Sequence, residues 1–319
     1  MLIVKTTSLG DVIHNLPVIN DIHARLPEMQ IDWVVEESFA DIPRLHPGVD
    51  EVITVAMRRW RKQPFSAHTW REIAALKQHL QSCAYDLVLD TQGLLKSALI
   101  SRLAKAPRHG YDRHSIREPA ASCLYNSQHQ VSREQHAVPR IRQLAALALG
   151  YPVPDSLPDY GITATADITA LQLPENFVAG LHGSSRDSKL WPVDRWIALA
   201  AELHAHGLAL VLPWGSQAEH ARALEIAEKS AQTIVLPRLG LNQLAAVIAA
   251  ARAAVGVDTG LMHLAVALKK TSIAIYTDTD PRLTGTCPGT GTTAVNLGGI
   301  DQSPTTAAVI NCLREQRIL

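Results

Sequence analysis

Short apolar runs alternate with longer amphipathic segments along the first half of the chain. The runs are rich in β-branched residues and predict strands at 2–6, 31–37, 51–56 and 85–93. Before the last of them, residues 69–83 place Trp70, Ile73, Leu76 and Leu80 at helical spacing, which predicts an amphipathic helix with these side chains on its buried face. Such alternation indicates a parallel sheet covered by helices.

The same alternation resumes at Phe177 and continues to the C-terminal region. One helix is predicted to begin with Pro192 at its first position and to end before Gly207. Residues 151–167 between the two halves are rich in Pro, Gly and Thr, which is typical of a domain boundary. We therefore predict an α/β protein with two doubly wound domains, 1–160 and 161–319, whose ligands bind at facing carboxyl ends of the strands.

Composition supports a folded protein of two domains. The chain has 319 residues, of which 47% are hydrophobic and 19% charged. No apolar run reaches the roughly 18 residues of a bilayer span, and the N-terminus lacks the pattern of a signal peptide, so we expect a cytoplasmic protein. The four cysteines lie far apart without a CxxC pair, which favours neither a zinc site nor a redox pair.

The formal net charge of zero conceals a basic segment. Residues 56–145 carry 15 Lys and Arg against 6 Asp and Glu, whereas the first 55 residues carry 3 against 9. A basic segment in an otherwise balanced protein favours an anionic substrate or an anionic surface as its partner. A solvated helix face is the alternative.

The loop after the first strand contains one candidate for acid–base chemistry. Residues 6–11, with the sequence TTSLGD, are predicted to open a helix, where backbone N–H groups favour an anion. A dinucleotide fingerprint is absent because only one glycine is present. Asp11 therefore has two open interpretations, a helix cap or a base that takes a proton from a hydroxyl.

Two loops of the second half are predicted to bind phosphate and ribose. The segment 182–189 combines hydroxyls, a glycine and two cations, among them Lys189, which suits a diphosphate. An ordinary polar loop would look similar. Glu219 follows the next strand, where its carboxylate suits ribose hydroxyls or the N-terminus of a helix equally well.

A third motif combines a strand, the turn Asp258-Thr259-Gly260 and an apolar helix with His263. Asp-Thr-Gly after an apolar run also marks aspartic proteases, but these need two such motifs in an all-β context. The predicted helices exclude that class. The alternative is that amides at the helix N-terminus bind a phosphate while Asp258 or His263 contacts a sugar.

Asp278-Thr279-Asp280 has the DxD spacing of metal-dependent nucleotide-sugar enzymes. A lone DxD is a weak signal, and the adjacent Pro281 favours a simple turn. We therefore expect no metal site.

Several segments together resemble the ADP-heptose:lipopolysaccharide heptosyltransferases, most closely those that add the first heptose. The resemblance spans nearly the whole chain and includes IVKTTSLGDVIHNLP, RRWRK, DTQGLLKSALI, SSRDSKLWP and VDTGLMHLAVAL. It implies a GT-B fold with two facing Rossmann-like domains, the N-terminal one for the acceptor and the C-terminal one for the nucleotide-sugar.

The resemblance also implies a reaction and its partners. L-glycero-D-manno-heptose would pass from ADP-heptose to the first Kdo of Kdo2-lipid A, with inversion, without metal or cofactor, at the cytoplasmic face of the inner membrane. A heptose transferase that acts on a later core acceptor is the alternative. Two more distant alternatives are a nucleotide-sugar epimerase of the same fold and a non-catalytic two-lobed binding protein.

Carried over by position, the resemblance implies roles for individual residues. Asp11 matches the catalytic base. The donor-binding positions are Ser184, Ser185, Lys189, Glu219, Leu239, Asp258, Thr259, Gly260 and His263. The acceptor-binding positions are Arg58, Arg59, Arg61, Lys62, Lys96, Arg117 and His136. Some relatives have Thr-Thr where this chain has Ser184-Ser185, and relatives have a methionine where it has Leu239.

Overall fold

A computed structural model describes residues 1–319, and the chain divides into two compact units, Met1–Ser156 and Leu157–Leu319. Each unit contains a six-stranded sheet in which every neighbouring pair of strands is parallel. This confirms the α/β class. The second unit begins at Leu157, whereas the sequence placed the boundary after residue 160.

The first sheet has the order β3-β2-β1-β4-β5-β6. Its strands are β1 (Leu2–Val4), β2 (Asp32–Glu36), β3 (Glu51–Val55), β4 (Val88–Asp90), β5 (Arg108–Tyr111) and β6 (Ser127–His129). The helices are α1 (Leu9–His14), α2 (Pro17–Arg25), α3 (Asp41–Arg44), α4 (Met57–Lys62), α5 (Ala67–Ser82), α6 (Leu95–Ser101), α7 (Pro119–Ser122) and α8 (Ala137–Leu149). The strand order reverses between β1 and β4, so the loops after these strands flank the switch point, where ligands of doubly wound sheets bind.

The second sheet has the order β12-β11-β10-β7-β8-β9. Its strands are β7 (Phe177–Leu181), β8 (Ala209–Leu212), β9 (Thr233–Val235), β10 (Ala253–Val257), β11 (Thr271–Tyr276) and β12 (Ala294–Gly298). The helices are α9 (Val193–Ala205), α10 (Gln217–Glu228), α11 (Leu241–Ala250), α12 (Gly260–Ala267), α13 (Pro281–Thr284) and α14 (Thr306–Glu315). Short 3-10 turns cover Glu37–Phe39, Thr169–Leu171 and Asp187–Lys189. The switch point of this sheet lies between β7 and β10.

The apolar strands predicted from sequence form the centres of both sheets. β1, β4, β7 and β10 are buried at every position, as expected for central parallel strands covered on both sides. Trp191 and Trp196 pack edge to face at 5.2 Å in the core of the second unit. None of the helices is both long enough and apolar enough to span a bilayer.

Two details of the predicted helices are wrong. Leu76 and Leu80 of α5 are buried as expected, but Trp70 is 61% exposed because it stands near the start of the helix at the rim of a groove. Pro192 is the N-cap of α9 rather than its first residue, with an extended ψ of 143°. Gly207 follows the helix with φ 73°, a conformation that glycine adopts without strain.

Candidate active site

The loop after β1 is joined to the loop after β4 at the first switch point. The amides of Thr6 and Thr7 both donate to Oε1 of Gln92, at 3.0 and 3.1 Å. Nζ of Lys96 donates to the Thr7 hydroxyl at 3.1 Å. Two side chains from the segment after β4 thus fix the backbone that leads into α1 and Asp11.

Asp11 occupies the third position of α1 and is partly exposed. Its Oδ2 accepts hydrogen bonds from the backbone N and the Oγ of Ser8, each at 2.8 Å. The structure therefore contains the helix cap of the first interpretation. The cap also fixes the direction of the carboxylate, so it is compatible with a second role as a base.

Buried charges surround this loop. Lys5 is 5% exposed and its ammonium donates to the Thr91 carbonyl at 3.2 Å. Burial lowers the pKa of Lys5, while the nearby charges of Asp11 and Asp90 oppose that shift. Asp90 is itself fully buried, and burial raises its pKa although Tyr125 donates to it at 2.8 Å.

The predicted acceptor cations Arg58, Arg59, Arg61 and Lys62 share helix α4. The buried carboxylate of Glu36 accepts from the amides of Met57 and Arg58, both at 3.1 Å, and so fixes the start of this helix. Arg59 is engaged by Glu72 at 2.8 Å and by Glu37 at 3.2 Å. Its charge is therefore compensated within the protein, in contrast to those of its three exposed basic neighbours.

The other predicted acceptor residues lie on three different segments of the first unit. Lys96 contacts Thr7, as described above. Arg117 is exposed between β5 and α7, and its charge contributes to the lowered pKa of Lys5. His136 is the N-cap of α8, where its Nδ1 accepts from Val138 at 3.2 Å and its ring meets His14 edge-on.

In the second unit, Asp258 is the centre of the contacts at the switch point. It follows β10, and its Oδ2 accepts from Nζ of Lys189 at 2.5 Å and from the Thr279 hydroxyl at 2.7 Å. The Ser184 hydroxyl donates to the Asp258 backbone carbonyl at 3.1 Å. The loops after β7, β10 and β11 therefore meet at one carboxylate, which holds the Lys189 ammonium at the carboxyl edge of the sheet.

Glu219 caps the helix that follows β8. Its Oε2 accepts from the amides of Gly215 and Ser216, at 2.6 and 3.1 Å, and its own amide donates to Ser216 Oγ. Of the two roles predicted for Glu219, the structure therefore shows the one at the N-terminus of a helix, α10. Glu219 also lies against Gly183, where an added Cβ would come within 2.7 Å of its carboxyl carbon.

The remaining predicted donor residues lie along the same carboxyl edge. Thr259 is the N-cap of α12, Gly260 its first residue, and His263 is 7% exposed one turn further on. Ser185 is exposed next to Ser184. Leu239 is partly exposed in the loop between β9 and α11, at the outermost strand of this half of the sheet.

The two aspartates of the DxD spacing make local contacts. Asp278 accepts from the Ser188 hydroxyl at 2.6 Å, and Asp280 caps α13 and pairs with Arg282 at 2.5 Å. No group of three or more His, Cys, Asp or Glu side chains is arranged to hold a metal ion.

Sequence reasoning assigned no role to three residues that make contacts within one site or the other: Gln92 and Lys5 in the first unit, and Thr279 in the second. Gln92 belongs to the DTQGLLKSALI segment, which contributes to the family resemblance but to which the sequence assigns no contact. Its position directly after a buried strand was the available signal, since β4 is the neighbour of β1 at the switch point.

The model of glycosyltransferase family 9 (heptosyltransferase) matches residues 73–314. The chain belongs to this family. Lipopolysaccharide heptosyltransferase 1 of Pseudomonas aeruginosa is 46% identical over 303 residues, which cover 93% of this chain and 83% of that protein. As a member of family 9, the chain is a glycosyltransferase.

Solved structures agree with this family 9 assignment. The structure described as E. coli heptosyltransferase WaaC with ADP has a TM-score of 0.90 and 43% identity, with 98% of both chains covered. The structure of the same enzyme with ADP-2-deoxy-2-fluoro heptose has a TM-score of 0.88 and 42% identity, with 99% of both chains covered. The GT-B fold expected from the resemblance is thereby confirmed.

Proposed function

We propose that this family 9 enzyme transfers L-glycero-D-manno-heptose from ADP-heptose to the first Kdo of Kdo2-lipid A, in the synthesis of the lipopolysaccharide inner core. The observation that carries the proposal is the 46% identity to a lipopolysaccharide heptosyltransferase 1 over 93% of the chain. The solved relative that carries ADP-2-deoxy-2-fluoro heptose supports ADP-heptose as the donor.

In the proposed reaction, Asp11 takes the proton from the attacking Kdo hydroxyl. The oxygen attacks C1 of heptose from the side opposite ADP, so the anomeric centre is inverted and the C1–O bond to the diphosphate breaks. The bonds from Ser8 hold the Asp11 carboxylate in one orientation before the acceptor binds. A base held in position contributes about 10²–10⁴-fold to such a step.

The second unit would bind the donor and stabilise the departing diphosphate. Lys189, held by Asp258, supplies a positive charge. Ser184 and Ser185 add hydroxyls, and the amides of Thr259 and Gly260 lie at a helix N-terminus, where negative charge is favoured. Each such donor typically contributes a few kcal/mol to a developing anion. We propose that these groups replace a divalent metal.

The first unit would bind the anionic acceptor through exposed cations. Arg58, Arg61 and Lys62 project from one short helix, and Lys96 lies beside the Asp11 loop at Thr7. Carboxylates of Kdo and phosphates of lipid A have the complementary charge. We place the enzyme at the cytoplasmic face of the inner membrane.

Release of ADP from ADP-heptose tests the function directly. We expect release with Kdo2-lipid A, no reaction without acceptor, and little with an acceptor that already carries the first heptose. Release only with the heptosylated acceptor would assign a later step of the core to this enzyme. Conversion of the donor without any acceptor would indicate an epimerase.

A further inference from the structure

Two large aromatic side chains project into solvent around the turn that joins α4 to α5. Phe65 is 96% exposed and Trp70 is 61% exposed. Single exposed apolar residues are common, but two aromatics five positions apart form a patch that water solvates poorly. Such a patch usually marks a surface that meets a partner.

Hydrogen bonds fix this turn in place. Nε1 of Trp70 donates to the Pro64 carbonyl at 2.9 Å, and the amide of Trp70 donates to the Ser66 carbonyl at 3.2 Å. The Ser66 amide donates to Gln63 at 3.2 Å. These hydrogen bonds fix the backbone before and after Phe65. The fold of the turn therefore holds the Phe65 ring in solvent.

The surface around the aromatics is predominantly basic, and the nearby carboxylates of Glu37 and Glu72 pair with Arg59. Residues 52–71 contain no Asp or Glu, and Arg59 is the one Arg or Lys among them that forms ion pairs. The remaining cations are exposed and make no ion pair: Arg58, Arg61, Lys62 and Arg71. Cations without ion-pair partners around exposed aromatics complement an anionic surface that has an apolar layer beneath it.

An apolar groove of about 780 Å³ continues from the aromatic patch toward the Asp11 loop. Trp70, Ile73 and the 52% exposed Leu99 line it, and Thr7 and Lys96 lie along its wall. The groove therefore connects Trp70 with Thr7, in the loop proposed to do the chemistry.

We propose that Arg58, Arg61, Lys62, Phe65, Trp70 and Arg71 form a lipid-docking face that binds an anionic phospholipid bilayer. Phe65 and Trp70 enter the headgroup layer, where aromatic rings are favoured, and the cations contact lipid phosphates. A protein partner would have to present a complementary acidic patch, whereas exposed aromatics beside cations match the layered structure of an anionic bilayer. The inference deepens the proposed function, because it names the surface through which the enzyme reaches a lipid-anchored acceptor.

Vesicle co-sedimentation without donor or acceptor tests the docking face on the full chain. The probes are vesicles of phosphatidylethanolamine with phosphatidylglycerol, and neutral vesicles of phosphatidylcholine. We expect binding to the anionic vesicles that weakens with added salt, and much weaker binding to the neutral ones. Phe65→Ser should lower the partition coefficient about tenfold, and Arg71→Gln about fivefold.

Leu157→Ser is the matched control, because Leu157 is 62% exposed in the second unit. It should leave vesicle binding unchanged. Equal binding by the wild type and Phe65→Ser, or equal binding to both kinds of vesicle, would overturn the proposal. So would a dimer in solution that Phe65→Ser dissociates, since the face would then join two copies of the chain.

ADP release with a water-soluble, deacylated acceptor separates this proposal from the proposed function. Phe65→Ser should keep the wild-type rate there, because Phe65 has no part in the chemistry. Vesicle binding that depends on Phe65, without ADP release from any acceptor, would refute the function and support the docking face. ADP release with vesicle binding that does not depend on Phe65 would refute only the docking face.

Discussion

The ammonium of Lys189 donates to the carboxylate of Asp258 at 2.5 Å, although 69 positions separate the two residues in the chain. Both side chains are largely buried, with 14% and 16% of their surface exposed. A flexible lysine is thereby held in one position before any ligand binds, so little conformational entropy is lost when a diphosphate arrives. Asp258 acts, in this account, chiefly through Lys189.

A double-mutant cycle tests that coupling. We expect Asp258→Asn and Lys189→Gln each to raise the KM for ADP-heptose about tenfold, as loss of a charge-assisted hydrogen bond predicts. Because each residue acts through the other, the double variant should be little worse than either single one. Asp278→Asn, which removes the charge of the carboxylate that Ser188 contacts, is the control and should be additive with Lys189→Gln. Additive effects of Asp258→Asn and Lys189→Gln would refute the coupling.

Glu36 is expected to stabilise the basic helix α4. It is 1% exposed and accepts from two amides at the start of that helix. Glu36→Gln should lower the free energy of unfolding by about 2 kcal/mol, because one amide then faces a donor in a buried site. Urea denaturation measures this. Glu37→Gln is the control, because Glu37 is an exposed partner of Arg59, and it should lower the free energy of unfolding by under about 1 kcal/mol. Equal losses of stability in the two variants would contradict the role of Glu36.

His182 predicts a pH dependence of stability. It is fully buried beside Trp196, and burial, with the charge of Arg222 as the second cause, lowers its pKa from 6.5 to about 4. The folded state therefore favours the neutral ring, and the unfolded chain takes up the proton first as pH falls. Stability from this residue is present above pH 6.5 and is lost as pH falls toward 4.

Unfolding curves of the wild type and His182→Leu at a series of pH values measure this contribution. The wild type should lose about 3 kcal/mol more than the variant between these limits. Exposed His204→Gln is the control and should follow the wild type. Parallel pH curves for the wild type and His182→Leu would show that the pKa of His182 does not change on folding, which would contradict this prediction.

The sequence predicts the central strands well because their burial on both sides leaves continuous apolar runs. It does not predict β5, with the sequence RHGY, or β6, with SQH, because strands toward the edge of a sheet can carry polar side chains. Trp70 shows a second limit. Helical spacing predicted α5, but spacing does not show which apolar side chains of the helix are buried and which, at one end, are exposed.

The sequence predicted which types of residue lie at the strand ends of the candidate site. It did not predict the contacts between them. Asp258, Lys189 and Glu219 were placed correctly at the carboxyl edge of the second sheet. That Lys189 pairs with Asp258, or that Gln92 holds Thr6 and Thr7, depends on which strands are neighbours. Strand order is a property of the whole fold, so no local pattern carries it.

The central claim is that Asp11 is the base of a heptosyl transfer, and Asp11→Asn tests it most directly. The measurement pairs the initial rate of ADP release, with Kdo2-lipid A as acceptor, with calorimetric affinity for ADP-heptose. Ser8→Ala, which removes the hydroxyl that donates to the carboxylate, is the control and should retain most activity. The account predicts a rate at least about 10²-fold lower for Asp11→Asn with unchanged donor affinity. A rate within a few-fold of the wild type would contradict it.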